Sequence, residues 1–172
     1  CSISYNASAV YTGEPITPEV TVRNGSVVLV EGEDYVLSYD MNTQVTSRAK
    51  IVITGIGNYR NSVTRYFAIN RRSMAGAEVE GITGKTFTGN QITQNIKVIL
   101  DGETLKRGTD YTVKYADNVH AGTATVTISG VGSYTDTIKK SFVISRIDIS
   151  KTSVVTGIPA EAVYTGSAIK FN

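Results

Sequence analysis

Two eight-residue stretches set an acid beside a phenol: Gly32-Glu33-Asp34-Tyr35-Val36-Leu37-Ser38-Tyr39 and Gly108-Thr109-Asp110-Tyr111-Thr112-Val113-Lys114-Tyr115. Carboxylates and phenols are groups that can move protons, so the pattern admits two copies of a reactive site. It equally admits one strand of a module used twice, with Asp at its turn and Tyr in its core. Other reactive groups are few. His120 is the sole histidine and Cys1 the sole cysteine, so neither a Ser-His-Asp nor a Cys-His set can be built twice. The same count excludes a cysteine metal cage and an intrachain disulfide. Asp40 with Asn42, and Asp117 with Asn118, carry oxygens of the kind that hold Ca²⁺. Those residues also suit ordinary Asx turns.

The bulk composition narrows the classes. A chain of 172 residues accommodates one domain or two small ones, and 41% hydrophobic residues supply a core. With 19% charged residues and a net charge of +2, disorder is not expected. Basic residues gather only in the pairs Arg71-Arg72, Lys106-Arg107 and Lys139-Lys140, too sparse for a nucleic-acid surface. No apolar run approaches the roughly 20 residues that cross a bilayer, so no membrane span is expected. No signal peptide is visible, and the chain begins and ends inside a pattern, as after removal of a targeting segment. Cys1 admits two readings, a lipidated N-terminus or the opening of a strand. Its repeat equivalents, Ala77 and Val154, are small and apolar and favour the strand.

The elements that must position these groups repeat. Tyr11-Thr12-Gly13 recurs as Phe87-Thr88-Gly89 and again as Tyr164-Thr165-Gly166, spaced by 76 and then 77 residues. Val20 matches Ile96, Val22 matches Val98, Leu29 matches Leu105 and Gly32 matches Gly108. After Tyr39 and Tyr115 one residue is dropped, and the match resumes with Ile53 and Ile128, Tyr59 and Tyr134, Phe67 and Phe142. A fixed period of this length sets the fold.

Within each copy the hydrophobic period is two. Tyr35, Leu37 and Tyr39 share one face, as do Tyr111, Val113 and Tyr115, and the other face carries Ser38 or Thr112 and Lys114. Strands rich in Val, Ile, Thr and Tyr with one polar face belong to antiparallel sheets. Asn24-Gly25 and Asp101-Gly102 suit tight hairpins, and Gly55-Ile56-Gly57-Asn58 and Gly130-Val131-Gly132-Ser133 mark a second turn. No helix follows these glycines, so they form no phosphate loop. Six or seven short strands per copy predict an all-β fold: two tandem immunoglobulin-like β-sandwich modules, residues 1–70 and 71–145, plus the start of a third repeat, residues 146–172. The expected core is Val20, Val22, Leu29, Tyr35, Leu37, Tyr39, Ile51, Ile53, Tyr59, Phe67 and Ile69 with their counterparts. On this pattern Asp34 and Asp110 receive backbone N–H groups and the tyrosines fill a core without Trp, so the opening motif is structural.

The runs YTGEPITPEVTVRNG and GTDYTVKYADNVHAGTATVTISGVGSY, with the closing SFVI, resemble the tandem immunoglobulin-like repeats of secreted and wall-attached proteins of Gram-positive bacteria. The resemblance covers residues 1–145 and the truncated third repeat. It departs at Met41–Ile53, where Val45–Arg48 replace the usual Ala-Gly-Thr-Ala. It implies export, an extracellular location at the cell surface or cell wall, and a role as stalk, spacer or adhesin. Implied partners are neighbouring repeats of the same chain and a host glycoprotein or glycan ligand. It supplies no catalytic, cofactor-binding or metal residues, and ligand-binding residues stay unassigned. Many such surface domains carry a Lys–Asn isopeptide crosslink, but Lys50 aligns with Thr125 and Lys85 with Ala9, so no repeated lysine faces the core. The alternative is a carbohydrate-binding or accessory module of a secreted glycan-degrading enzyme, which calls for an exposed row of Tyr5, Tyr11 and Tyr66. The link Asn70-Arg71-Arg72-Ser73 has no Gly or Pro tract, so the modules are expected to hold a preferred orientation. Residues 146–172 are too few for a core of their own. Their runs Ile147-Asp148-Ile149 and Val154-Val155 predict a strand-forming tail that extends a sheet edge.

Overall fold

The computed structural model describes residues 1–152 and Gly166. Apart from one helical turn, the regular structure is β. The first half comprises β1 (Ser2–Tyr5), β2 (Ser8–Val10), β3 (Val20–Asn24), β4 (Val27–Val28), β5 (Tyr35–Asp40), β6 (Thr46–Gly55) and β7 (Ser62–Asn70). They form one sheet in the order β1-β3-β4 and another in the order β2-β7-β6-β5. A short strand, β8 (Arg72–Ser73), follows. The second half comprises β9 (Glu78–Glu80), β10 (Lys85–Thr86), β11 (Lys97–Leu100), β12 (Glu103–Thr104), β13 (Tyr111–Ala116), β14 (Gly122–Gly130), β15 (Tyr134–Thr135) and β16 (Thr137–Ser145). Its sheets are β12-β11-β9 and β10-β16-β14-β13, and β15 pairs with β8. The helical turn α1 (Ile149–Thr152) comes last.

The two halves use one pairing scheme. Tyr35, Leu37 and Tyr39 lie opposite Gly55, Ile53 and Ile51, and Tyr111, Val113 and Tyr115 lie opposite Gly130, Ile128 and Val126. Because the pleat period is two, this register sends Tyr35, Ile51 and Ile53 inward together and Tyr111, Val126 and Ile128 likewise. Each pair of sheets shares one apolar cluster, a sandwich-like arrangement. The first holds Val20, Val22, Leu29, Tyr35, Ile51, Ile53, Phe67 and Ile69. The second holds Ile96, Val98, Leu105, Tyr111, Val126, Ile128, Phe142 and Ile144, and adds Met74. Each such aliphatic side chain contributes about 1.5–3 kcal/mol by leaving water.

Tyr35 and Tyr111 are buried, and their hydroxyls donate to Val20 O and Ile96 O, each at 3.2 Å. Tyr39 and Tyr115 are half-buried, with hydroxyls donating to Pro18 O at 2.9 Å and Gln94 O at 3.0 Å. The acid ahead of each strand is a turn clamp. Asp34 Oδ2 accepts Val30 N–H at 2.9 Å and Asp110 Oδ2 accepts Lys106 N–H at 2.7 Å. The glycine pairs are equally specific. A Cβ on Gly55 would stand 2.8 Å from Arg60 N and one on Gly130 2.8 Å from Thr135 O, while Gly57 and Gly132 take φ near 60° against Glu33 O and Thr109 O. Only glycine fits such an approach.

The one-residue difference between the copies has a place. β6 and β7 lose register between Thr46 and Ala49, whereas β14 and β16 pair without a shift from Gly122 to Ser129. The extra residue of the first copy is therefore a β-bulge, which absorbs it without turning the inward faces of Ala49, Ile51 and Ile53 outward.

Two expectations shift. In the first copy Asn24 pairs with Val27, so the hairpin turns on Gly25-Ser26, not on Asn24-Gly25. Gly25 supplies the positive φ at the first central position of that turn, whereas Asp101 and Gly102 both take positive φ in the second copy. The segment Ile147-Asp148-Ile149 is not a strand. Asp148 Oδ1 accepts from Ser150 N–H at 3.0 Å and from Ser150 Oγ, which starts the turn α1 at Ile149. The rest of the expected strand-forming tail lies outside the described residues, apart from Gly166. That glycine takes φ of 76°, in the positive range that Gly13 and Gly89 also occupy at 90° and 81°.

Two outcomes follow from the inward phenols. Tyr111→Ala is expected to cost about 3–5 kcal/mol, as for other buried aromatics, read from the urea midpoint; an unchanged midpoint would take the ring out of the core. Burial raises the pKa of Tyr35 and Tyr111 above 10.0. Below that pH the phenols are neutral in both states and the burial stabilises fully. As pH rises through the folded values the unfolded chain ionises first, so stability falls. The melting temperature is expected to drop less between pH 9 and 11 in a Tyr35→Phe/Tyr111→Phe double variant than in the parent. Parallel pH profiles would contradict this.

Candidate functional site

The residues singled out for chemistry do not converge. Asn42 and Asn118 are clamps for the chain that crosses beneath them. Asn118 is buried, donates its amide to Ile92 O at 2.6 Å and accepts Ile92 N–H on its own carbonyl at 2.8 Å. Asn42 makes the same two bonds to Ile16, at 3.0 and 2.8 Å. Asp40 and Asp117 are not equivalent, since Met41 and Asp117 are the positions that share a left-handed backbone, φ of 55° and 56°. Asp40 instead meets Lys50 Nζ at 2.8 Å on the surface, and that hydrogen bond and charge hold its carboxyl below the usual range. Lys50 is thereby turned to solvent, away from any core asparagine. Among the described residues no group of three or more His, Cys, Asp or Glu is placed to hold a metal ion. His120 is exposed and stacks on Phe87, with ring centroids 6.3 Å apart. Cys1 is a free, exposed thiol.

The expected row of tyrosines does not form. Tyr5 is half-buried against the first core and donates its hydroxyl to Tyr66 O at 3.0 Å. Tyr66 is exposed, with the Arg48 guanidinium 5.1 Å over its ring. Tyr11 lies elsewhere, and its position identifies the best-built site in the described chain.

That site is the joint between the halves. Tyr11 follows β2, and its N–H donates to Asn70 O at the end of β7. Its ring packs against both hydrophobic clusters and meets Tyr134 edge-on, with centroids 5.8 Å apart and an interplanar angle of 83°. Such edge-to-face pairs contribute about 0.5–1.5 kcal/mol beyond area burial. Burial also pushes the Tyr134 phenol above its ordinary pKa. Beneath this pair the link is absorbed into the second half. Arg72 and Ser73 pair in parallel with Tyr134 and Thr135. Arg72 N–H donates to Ser133 O at 2.9 Å and Met74 N–H to Thr135 O at 3.1 Å. The Arg72 guanidinium forms an ion pair with Asp101 on the hairpin between β11 and β12. Met74 is then fully buried in the second core.

Arg72, Met74 and Tyr11 were not legible as a joint. Their sequence signal is slight: one apolar residue stands four positions past the last strand in each copy, Met74 after Asn70 and Ile149 after Ser145. A polar cleft of about 440 Å³ opens beside the joint between Tyr11 and Gln44 on one side and Glu103, Lys106 and Asp110 on the other. At its wall the Asp110 carboxylate accepts Lys106 N–H. Two further hollows each lie within a single loop, at Asp117–Thr123 and Met41–Thr46. No helix among the described residues is long and apolar enough to cross a membrane.

No family model, curated protein or solved structure matches the chain.

Asn118→Ala is expected to destabilise the second half by about 1–3 kcal/mol, because it leaves Ile92 O without its buried donor. Millimolar Ca²⁺ is expected to leave the parent's melting temperature unchanged. A calcium-dependent rise, abolished by Asp117→Ala, would make this loop a metal site.

Proposed function

We propose that the chain is a non-catalytic surface module: two tandem immunoglobulin-like repeats, residues 1–70 and 71–145, with the start of a third at 146–172. It acts as a stalk or spacer, or as an adhesin, in an exported bacterial surface protein located at the cell surface or cell wall. One observation carries the reading. The link between the copies is hydrogen-bonded to the second copy through Arg72 and Met74, with the Met74 side chain in its core and Tyr11 against Tyr134. A module that projects something away from a surface requires a joint that resists bending, and a link whose Arg72 and Ser73 pair with β15 and whose Met74 enters the core provides it. The scattered candidate groups support the same reading, since Asp34, Asp110, Asn42 and Asn118 clamp backbone, while Asp40, His120 and Cys1 lie apart on the surface. Partners on this reading are neighbouring repeats of the same kind and a host glycoprotein or glycan. The accessory-module reading is weakened because only Tyr66 of the three candidate tyrosines is exposed.

The test is interdomain distance. With Cys1→Ser as background, spin labels at Ser38→Cys and Lys114→Cys mark equivalent exposed positions on β5 and β13. A single narrow distance distribution is expected. A broad distribution, as from a flexible tether, would contradict the spacer reading. Binding on a glycan array that is lost in Tyr66→Ala would instead favour the carbohydrate-binding module.

A further inference from the structure

The first copy carries the surface that receives the link in the second copy, and there it is open. Ile3, Val22, Tyr35, Ile53, Tyr59 and Val63 line an apolar cavity of about 140 Å³, with Cys1 and Arg60 at its rim. By the repeat register these six match Val79, Val98, Tyr111, Ile128, Tyr134 and Ile138, of which the last five belong to the cluster that contains Met74, while Val79 packs against it. The first cluster has no residue in the Met74 role. The consequences are visible in burial. Tyr134 is 4% and Ile138 8% exposed, whereas Tyr59 and Val63 are only half-buried. The backbone differs in the same sense, since Tyr134–Thr135 is a strand paired with β8 and Tyr59–Arg60 is not a strand. An apolar cavity of roughly 150 Å³ is large enough to admit a benzene ring, so one methionine side chain fits the scale.

The opposite end of the chain presents the matching half. Ile149 stands where Met74 does relative to the last strand, and it is 74% exposed. Asp148 accepts Ser150 N–H at 3.0 Å as Ser73 Oγ accepts Ala75 N–H at 3.2 Å, so the residue ahead of Met74 and the residue ahead of Ile149 make the same local side-chain cap. Phe87 N–H donates to Ser145 O as Tyr11 N–H donates to Asn70 O. One joint is complete inside the chain; on either side of it lies one half of another.

We propose that the open face of the first copy is a docking site for a further copy of the same repeat. That copy enters through a link strand of the Arg72-Ser73-Met74 kind. Its strand pairs with Tyr59–Arg60, its apolar residue fills the cavity, and its aromatic Thr-Gly turn lies against Tyr59. This deepens the spacer reading and rests on it, because it makes each repeat incomplete until another is seated.

The test grafts the link. The sequence of residues 70–76, Asn-Arg-Arg-Ser-Met-Ala-Gly, is placed ahead of Cys1, which matches Ala77, and methionine methyls are labelled with ¹³C. The grafted methyl is expected to show contacts with the Tyr35 and Tyr59 rings, the equivalents of two tyrosines that share a core cluster with Met74. Unfolding of the first copy is expected to move up by roughly 4–8 °C. The same graft with Asp in place of its methionine is expected to lose both effects. A grafted methyl at its random-coil position, with the first copy's midpoint unchanged, overturns the docking site. That outcome leaves the existing joint, and the spin-label distance that reports on it, untouched. If the grafted chain does not fold, the heptapeptide is titrated into the unmodified chain. Saturable shifts of the Ile53 and Val63 methyls, absent with the Asp peptide, support the site; no shift at millimolar peptide overturns it.

Discussion

The phenol on the fifth strand of each copy ties one sheet to the other. Tyr35 and Tyr111 stand at the first positions of β5 and β13, in the four-stranded sheets, and their hydroxyls reach carbonyls at the start of the facing three-stranded sheets. A ring of that length fills the space between layers that contain no Trp, while its polar end finds the buried acceptor it requires. The rest follows from keeping that ring in place. Asp34 and Asp110 fix the turn that aims it, and Gly55 and Gly130 lie directly opposite it so that the neighbouring backbone can close over the pleat. What looks like reactive chemistry in the sequence is the assembly of a core.

The same economy governs the joint. Stiffness between consecutive modules can come from a short tether, but a tether still bends. Here Arg72 and Met74 leave the first copy and become a strand and a core residue of the second. Bending the joint would therefore require either breaking two backbone hydrogen bonds or withdrawing a fully buried side chain. Withdrawal of a buried methionine costs on the order of 2–5 kcal/mol by analogy with truncation. The Tyr11–Tyr134 contact adds a smaller term on the outside of the same hinge. The orientation of the copies is thus coupled to the folding of the second one, as the proposed spacer role requires.

Much of the fold is legible in the residues because its causes are local. Alternation in Tyr35-Val36-Leu37-Ser38-Tyr39 states the pleat, and the acid before it states the turn. The residue that the first copy carries in excess after Tyr39 even anticipates the bulge between Thr46 and Ala49. The misplacements have local causes as well. Asn24-Gly25 and Gly25-Ser26 both offer a glycine to a two-residue turn, and only the pairing of Asn24 with Val27 decides between them. Ile147-Asp148-Ile149 alternates as a strand does, but the Asp148 carboxylate caps a helical turn instead. The joint was not legible because its partners are far apart in the chain. Nothing around Tyr11 announces Tyr134, and a single methionine after two arginines reads as linker until Thr135 is seen beside it.

The claim on which the rest turns is that the link is a structural part of the second copy. Native-state hydrogen exchange of the Arg72 and Met74 amides measures it directly, because these two N–H groups are bonded to Ser133 O and Thr135 O. The expected result is exchange as slow as that of the β13 amides from Tyr111 to Ala116, through unfolding of the whole second copy. Exchange of Arg72 and Met74 at the rate of an unprotected loop, while β13 stays protected, would show the link to be a tether and contradict the claim.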